Sequence, residues 1–144
     1  SMSKAAVGSN IKLHISETLK DGTPIASTKD KSPVEVTLGE SNTAPELQKA
    51  LLGMNEGDTK KVIIPSEHAY GPYRENLVFG VQKEKLPDNA KLQKGTRLVA
   101  NFRSGKSCNV TIRDVNRHKV LLDANHPLAG KDIVWQLEVL EVGD

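Results

Sequence analysis

Apolar and polar residues alternate near the start of the chain, where Ile11, Leu13 and Ile15 are separated by Lys12 and His14. A period of two puts one set of side chains on one face, so a half-buried strand is expected over 10–19. Lys20-Asp21-Gly22 follows as a turn, with Gly22 able to take positive φ. Val34, Val36 and Leu38 repeat the alternation as far as Gly39. Then the period changes: Ala44, Leu47 and Leu51 stand at helical spacing. Thr43 and Glu46 have the spacing of a capping box, Pro45 suits a first turn and Gly53 suits a stop. One short helix is therefore expected over 44–52.

Strand pattern returns over 58–65, with Val62 and Ile64 sharing a face. The stretch from Gly71 to Asp123 is mixed. It holds Leu77-Val78-Phe79, a Lys/Pro/Asp-rich run, and strand-like runs at 96–102, 108–115 and 119–122. Ser104-Gly105-Lys106 and Asn116-Arg117-His118 have the composition of hairpin turns. The last run alternates Ile133, Trp135, Leu137 and Val139, a long strand with one buried face. The sum is a β-rich α+β chain, antiparallel, with one short helix covering a face of a sheet.

Composition narrows the picture. Twenty basic against 18 acidic residues leave a formal charge of +2, and the basic residues are dispersed, so no nucleic-acid partner is expected. The single cysteine, Cys108, excludes an intrachain disulfide. No apolar run approaches the roughly 18–20 residues that span a bilayer, so no membrane partner is expected. No basic region followed by an apolar stretch opens the chain, so no signal peptide is expected and a cytoplasmic location is the default. Ser1 ahead of Met2 is set aside as a cloning remnant.

Three motifs stand in order. The first is PELQKALLGMNEGDTKKVIIP, a helix, a Gly-Asp turn and a strand. The second is AYG at 69–71, extended as AYGPYRENLV. The third is DANHPLAGKDIVWQLEVLEV at 123–142. With the Asp21-Gly22 hairpin, this ordered set resembles the FK506-binding-protein (FKBP)-type peptidyl-prolyl isomerases, and NHPLAG resembles their SlyD/SlpA branch.

The resemblance implies an FKBP-like antiparallel sheet wrapped on the helix, with a small β-rich domain inserted in the flap. Residues 1–72 and 123–144 would form the first, and 73–122 the insert. About 50 residues between the AYG turn and the last strand are too many for a simple loop, which agrees. It further implies a substrate pocket formed by Ile15, Ile25, Val36, Leu47, Tyr70 and Trp135, with the Tyr70 hydroxyl the catalytic donor to a substrate carbonyl. Two positions depart from the family pattern. Ile15 stands where tyrosine is usual, and Ala26 where aspartate is usual. Weak intrinsic catalysis is the expectation.

The implied function is prolyl isomerisation joined to chaperone binding of unfolded or extended polypeptide. The alternative is a peptide-binding chaperone with little isomerase activity. Within the insert, Val78, Phe79, Val81, Leu98 and Phe102 are the candidates for peptide binding. No cofactor is expected. His14, His68 and His118 show no ligand spacing with one another or with Cys108, and no His-rich tail follows Val142, so no metal is expected. His126, ahead of Pro127 in a turn-like tract, is expected to be structural. A monomer is expected.

Overall fold

The computed structural model describes residues 4–143; the reading of Ser1 falls outside them. The chain divides into two compact units, Ser1–Ala69 with Lys131–Asp144, and Tyr70–Gly130.

The first unit holds β1 (Asn10–Leu19), β2 (Pro24–Ser27), β3 (Val34–Thr37), α1 (Pro45–Leu51), β4 (Thr59–Ile64) and β9 (Ile133–Gly143). The sheet order is β2-β1-β9-β4, with β3 also on β1, and every pairing is antiparallel. Ile11 and Leu13 on β1 and Leu137 and Val139 on β9 are fully buried, as period-two strands with one covered face require. Leu47, Ala50 and Leu51 on α1 complete that core. This is the expected β-rich class, with one short helix on an antiparallel sheet.

The helix begins differently from expectation. The Thr43–Glu46 capping box does not form: Ala44 is the N-cap and no side chain caps it. Gln48 reaches back instead. Its Oε1 accepts from Gly39 N–H (3.0 Å), and its Nε2 donates to the Glu40 and Thr43 carbonyls (3.0 and 2.9 Å). Glu46 is thereby released to pair with His68 (2.7 Å). Gly53, at φ +82°, closes the helix as expected.

The second unit is a four-stranded antiparallel sheet in the order β5-β8-β7-β6. Its strands are β5 (Val78–Gln82), β6 (Arg97–Asn101), β7 (Ser107–Val115) and β8 (Lys119–Asp123). The hairpin turns fall where composition placed them: Phe102 N–H bonds Lys106 O (2.8 Å) around Gly105. Its fully buried core is Val110, Ile112, Val120 and Leu122.

Candidate functional site

Four of the apolar candidates gather in the first unit. Leu47 belongs to the core over α1, and Ile15, Val36 and Trp135 pack against it from half-buried positions. They come from β1, β3, α1 and β9, so the sheet and helix together create the patch. Ile25 stands apart. Ser16↔Ser27 and Glu17↔Ala26 pair in register, but Thr18 pairs with Pro24, which leaves Ile25 as the extra residue of a bulge. Ala26 is exposed on that strand.

Tyr70 belongs to the second unit, 40% exposed, its ring stacked on His126 at 4.6 Å between centroids and 13° between planes. The His126 Nδ1 accepts the Leu128 N–H at 3.0 Å, which fixes the ring that Tyr70 lies on. That acceptor role assigns the proton to Nε2 in the neutral imidazole. His126 therefore has the structural role expected of it within the NHPLAG tract.

The two crossings of the chain that bound this unit are fastened to each other. Asn125 is 5% exposed. Its Oδ1 accepts Arg74 N–H (2.9 Å), and its Nδ2 donates to Arg74 O (2.9 Å) and Asp123 Oδ1 (2.8 Å). A buried amide with both ends satisfied fixes backbone geometry rather than binding substrate. Tyr73 Oη donates to Asp123 Oδ2 at 2.6 Å and accepts from Arg113 Nη1 at 3.1 Å. Arg113 also pairs with Glu75 (3.1 Å). Arg113 can reach them because Ile112 pairs with Leu122 and Asp114 with Leu121, so Arg113 is a bulged residue turned off the ladder.

Burial works against the charge of Asp123, but hydrogen bonds from Tyr73 and from the Asn125 side chain and backbone outweigh it and lower its carboxyl pKa. The same bond to Asp123 raises the Tyr73 phenol. Neither Asn125 nor Tyr73 stands out in the sequence: a polar residue before His-Pro, and a tyrosine after Gly-Pro, carry no spacing signal.

The peptide-binding candidates of the second unit separate into two groups. Phe79, Val81 and Phe102 line a cleft of about 500 Å³, joined by Leu86, Pro87 and Leu122. Phe79 and Phe102 face each other at 6.3 Å between ring centroids. Leu98 packs on the small core instead, and Val78 pairs with Asp123 at the start of β5. Leu86 and Pro87 were hidden in the sequence by the polar run around them.

In the first unit, Asp132 ties the start of β9 to the rest. Its Oδ2 meets Lys20 Nζ (2.9 Å) and its Oδ1 accepts Ser66 N–H (2.9 Å). The Lys20 contact first, then the Ser66 amide, lower its pKa below the ordinary carboxylate value. No described helix is long and apolar enough to cross a membrane.

Residues 2–99 match the sequence profile of the family described as FKBP-type peptidyl-prolyl cis-trans isomerase. The FKBP-type peptidyl-prolyl cis-trans isomerase SlyD of Treponema pallidum is 34% identical over 90% of this chain and 74% of its own length. The SlyD of Haemophilus influenzae is 32% identical over 84% of this chain and 63% of its own. The FKBP-type 16 kDa peptidyl-prolyl cis-trans isomerase of Escherichia coli K12 is 27% identical over 93% and 91%.

Proposed function

Since the chain belongs to the FKBP-type peptidyl-prolyl cis-trans isomerases, on their SlyD branch, we propose that it isomerises X–Pro bonds in unfolded or extended polypeptides and holds those polypeptides through its second unit. The observation that supports the reading is that Ile15, Val36 and Trp135, distant in sequence, pack as half-buried apolar surface against the core that holds Leu47.

Such a patch has a physical use. Amide resonance sets a barrier of about 18–20 kcal/mol to rotation about a peptide bond. Twisting an X–Pro bond returns electron density to nitrogen and makes the carbonyl less polar. Apolar surroundings that strip water from the carbonyl disfavour the planar form relative to the twisted one, and a surface shaped to the twisted form binds it preferentially. The reaction needs no nucleophile or electron carrier. In this reading Trp135 with Leu47 supports the proline ring.

Ile15 and Ala26 bring no polar group to orient a short peptide, so turnover of short substrates is low. A longer chain gains its positioning from remote contacts, and the cleft around Phe79 and Phe102 supplies them. The protein acts in the cytoplasm as a monomer in this account.

The test compares a proline tetrapeptide with a protein whose refolding is limited by proline isomerisation, on the intact chain and on one with 73–122 replaced by a short loop. Low tetrapeptide turnover, much higher efficiency on the refolding protein, and loss of only the second on deletion support the proposal. An insert-deleted form that accelerates refolding as well as the intact chain overturns it.

A further inference from the structure

β4 ends the sheet of the first unit. One side pairs with β9, and among the described residues no strand pairs with the other. The free side can be identified from the ladder. Val139 N–H bonds Asp58 O (3.0 Å), which makes Thr59↔Glu138 a pair that does not exchange hydrogen bonds. The alternate residues Lys60, Val62 and Ile64 bond to β9. Thr59, Lys61 and Ile63 therefore turn their N–H and C=O groups outward.

Beside this edge runs a groove of about 410 Å³, between β4 and α1, lined by Pro45, Lys49, Ala50, Lys60, Val62 and Ile64 among others. Ile63, on the opposite face, is 56% exposed. An extended segment added to the edge would gain main-chain bonds, with alternate side chains reaching the groove and Ile63.

Charge decides what kind of segment. Among the described residues Lys49 and Lys61 form no ion pair, and Lys60 gives its ammonium to the Ala50 carbonyl (2.6 Å) rather than to a carboxylate. The acid on the groove, Glu46, is occupied by His68. The edge is thus apolar in its middle and carries uncompensated positive charge. Lysines on an edge strand guard against pairing with a second copy, because like charges would face each other. The same lysines favour a strand that brings carboxylates.

We propose that the outer edge of β4 is a docking site for an extended segment of a partner protein in which acidic residues alternate with aliphatic ones. The aliphatic side chains lie against Val62 and Ile64. The carboxylates project from the opposite face of the added strand, where Lys61 lies. The site uses the outer edge of β4, and isomerase activity does not enter its test.

The test titrates the full-length, 15N-labelled protein with a short synthetic peptide alternating glutamate with valine and leucine, and with its lysine-for-glutamate counterpart. The acidic peptide should shift the amides of Thr59 to Ile64 and of α1, and the basic one should not. Lys61→Glu should weaken binding about tenfold and remove most of its salt dependence. Ile63→Pro removes only an outward N–H, a substitution an edge strand tolerates. It should abolish binding while the other amide signals of the first unit stay dispersed. Four results would overturn the proposal: no shifts, shifts confined to Tyr70–Gly130, equal binding of the basic peptide, or self-association through β4 in sedimentation.

Discussion

The two units seal different amounts of apolar core. In the first, Ile11, Leu13, Leu51, Leu137 and Val139 are sealed between sheet and helix. The second has four fully buried side chains, too few to carry a large store of burial energy, and leaves Phe102 45% and Val99 61% exposed. Large exposed apolar groups around a cleft mark a surface meant for contact. The difference teaches that the larger sealed core lies in the first unit. It also orders the following expectations.

The largest effect comes from the richer core. Leu137→Ala should cost about 2–5 kcal/mol, as truncation of a sealed leucine does. Hydrogen exchange should show the loss across β1, β4 and β9. In the native protein, amides of β5–β8 should exchange through smaller openings than those of β1 and β9, because their core is smaller. Equal protection in both units would break the comparison.

Next is the clasp of the second unit. Tyr73→Phe removes the bonds to Asp123 and Arg113. The cost should be small, because the groups are partly solvated. It should appear in the unfolding of β5–β8 alone, and Asp123 should titrate closer to the ordinary value by NMR.

Phe102→Ser should cost roughly 1 kcal/mol or less, since the ring, 45% exposed, lies outside the buried core. Binding of an unfolded polypeptide should weaken markedly. A variant that unfolds but still binds would place Phe102 in the core and not in the cleft.

The smallest effects are those of acid. Asp123 and Asp132 have folded pKa values below the unfolded one, about 3.9. Their contribution is therefore complete above that pH and is lost as pH falls through the lower, folded values. Asp132→Asn should flatten the acid limb of the first unit's stability, and Asp123→Asn that of the second. The check is a pair of denaturant titrations between neutral pH and strongly acidic pH.

What could be read beforehand follows the strength of local periodicity. Ile11-Leu13-Ile15 and Ile133 to Val139 alternate cleanly, and both strands appear where expected, as does the helix closing at Gly53. The helix start departs from the expected capping box because a capping box is only a spacing: the Thr43 N–H it would use bonds Glu40 O instead (3.2 Å), and Gln48 ties Gly39 and Glu40 to the helix. β2 was hidden because Pro24-Ile25-Ala26-Ser27 is short and bulged, with no alternation to detect. Of the candidate site, Ile15, Val36, Leu47 and Trp135 could be named only through the family resemblance; their meeting depends on β1, β3, α1 and β9 packing together. Asn125 and Arg113 were illegible for the same reason, since their partners lie 51 and 40 positions away.

At the base of the second unit, Gly130 N–H bonds Gly71 O at 2.8 Å, and a side chain at Gly130 would strike Tyr73 Cβ at 2.9 Å. Entrance and exit of a 70–130 segment thus touch. A segment whose ends coincide asks its host for no more than one surface loop. Insertion or removal then changes the host's chain length without moving the host's anchor points, so recombination can trade such a segment between unrelated scaffolds as a cassette. Grafted into a tight turn of a foreign protein, residues 70–130 should keep the amide spectrum they show here, and Gly130→Val should destroy that portability by forcing the two ends apart.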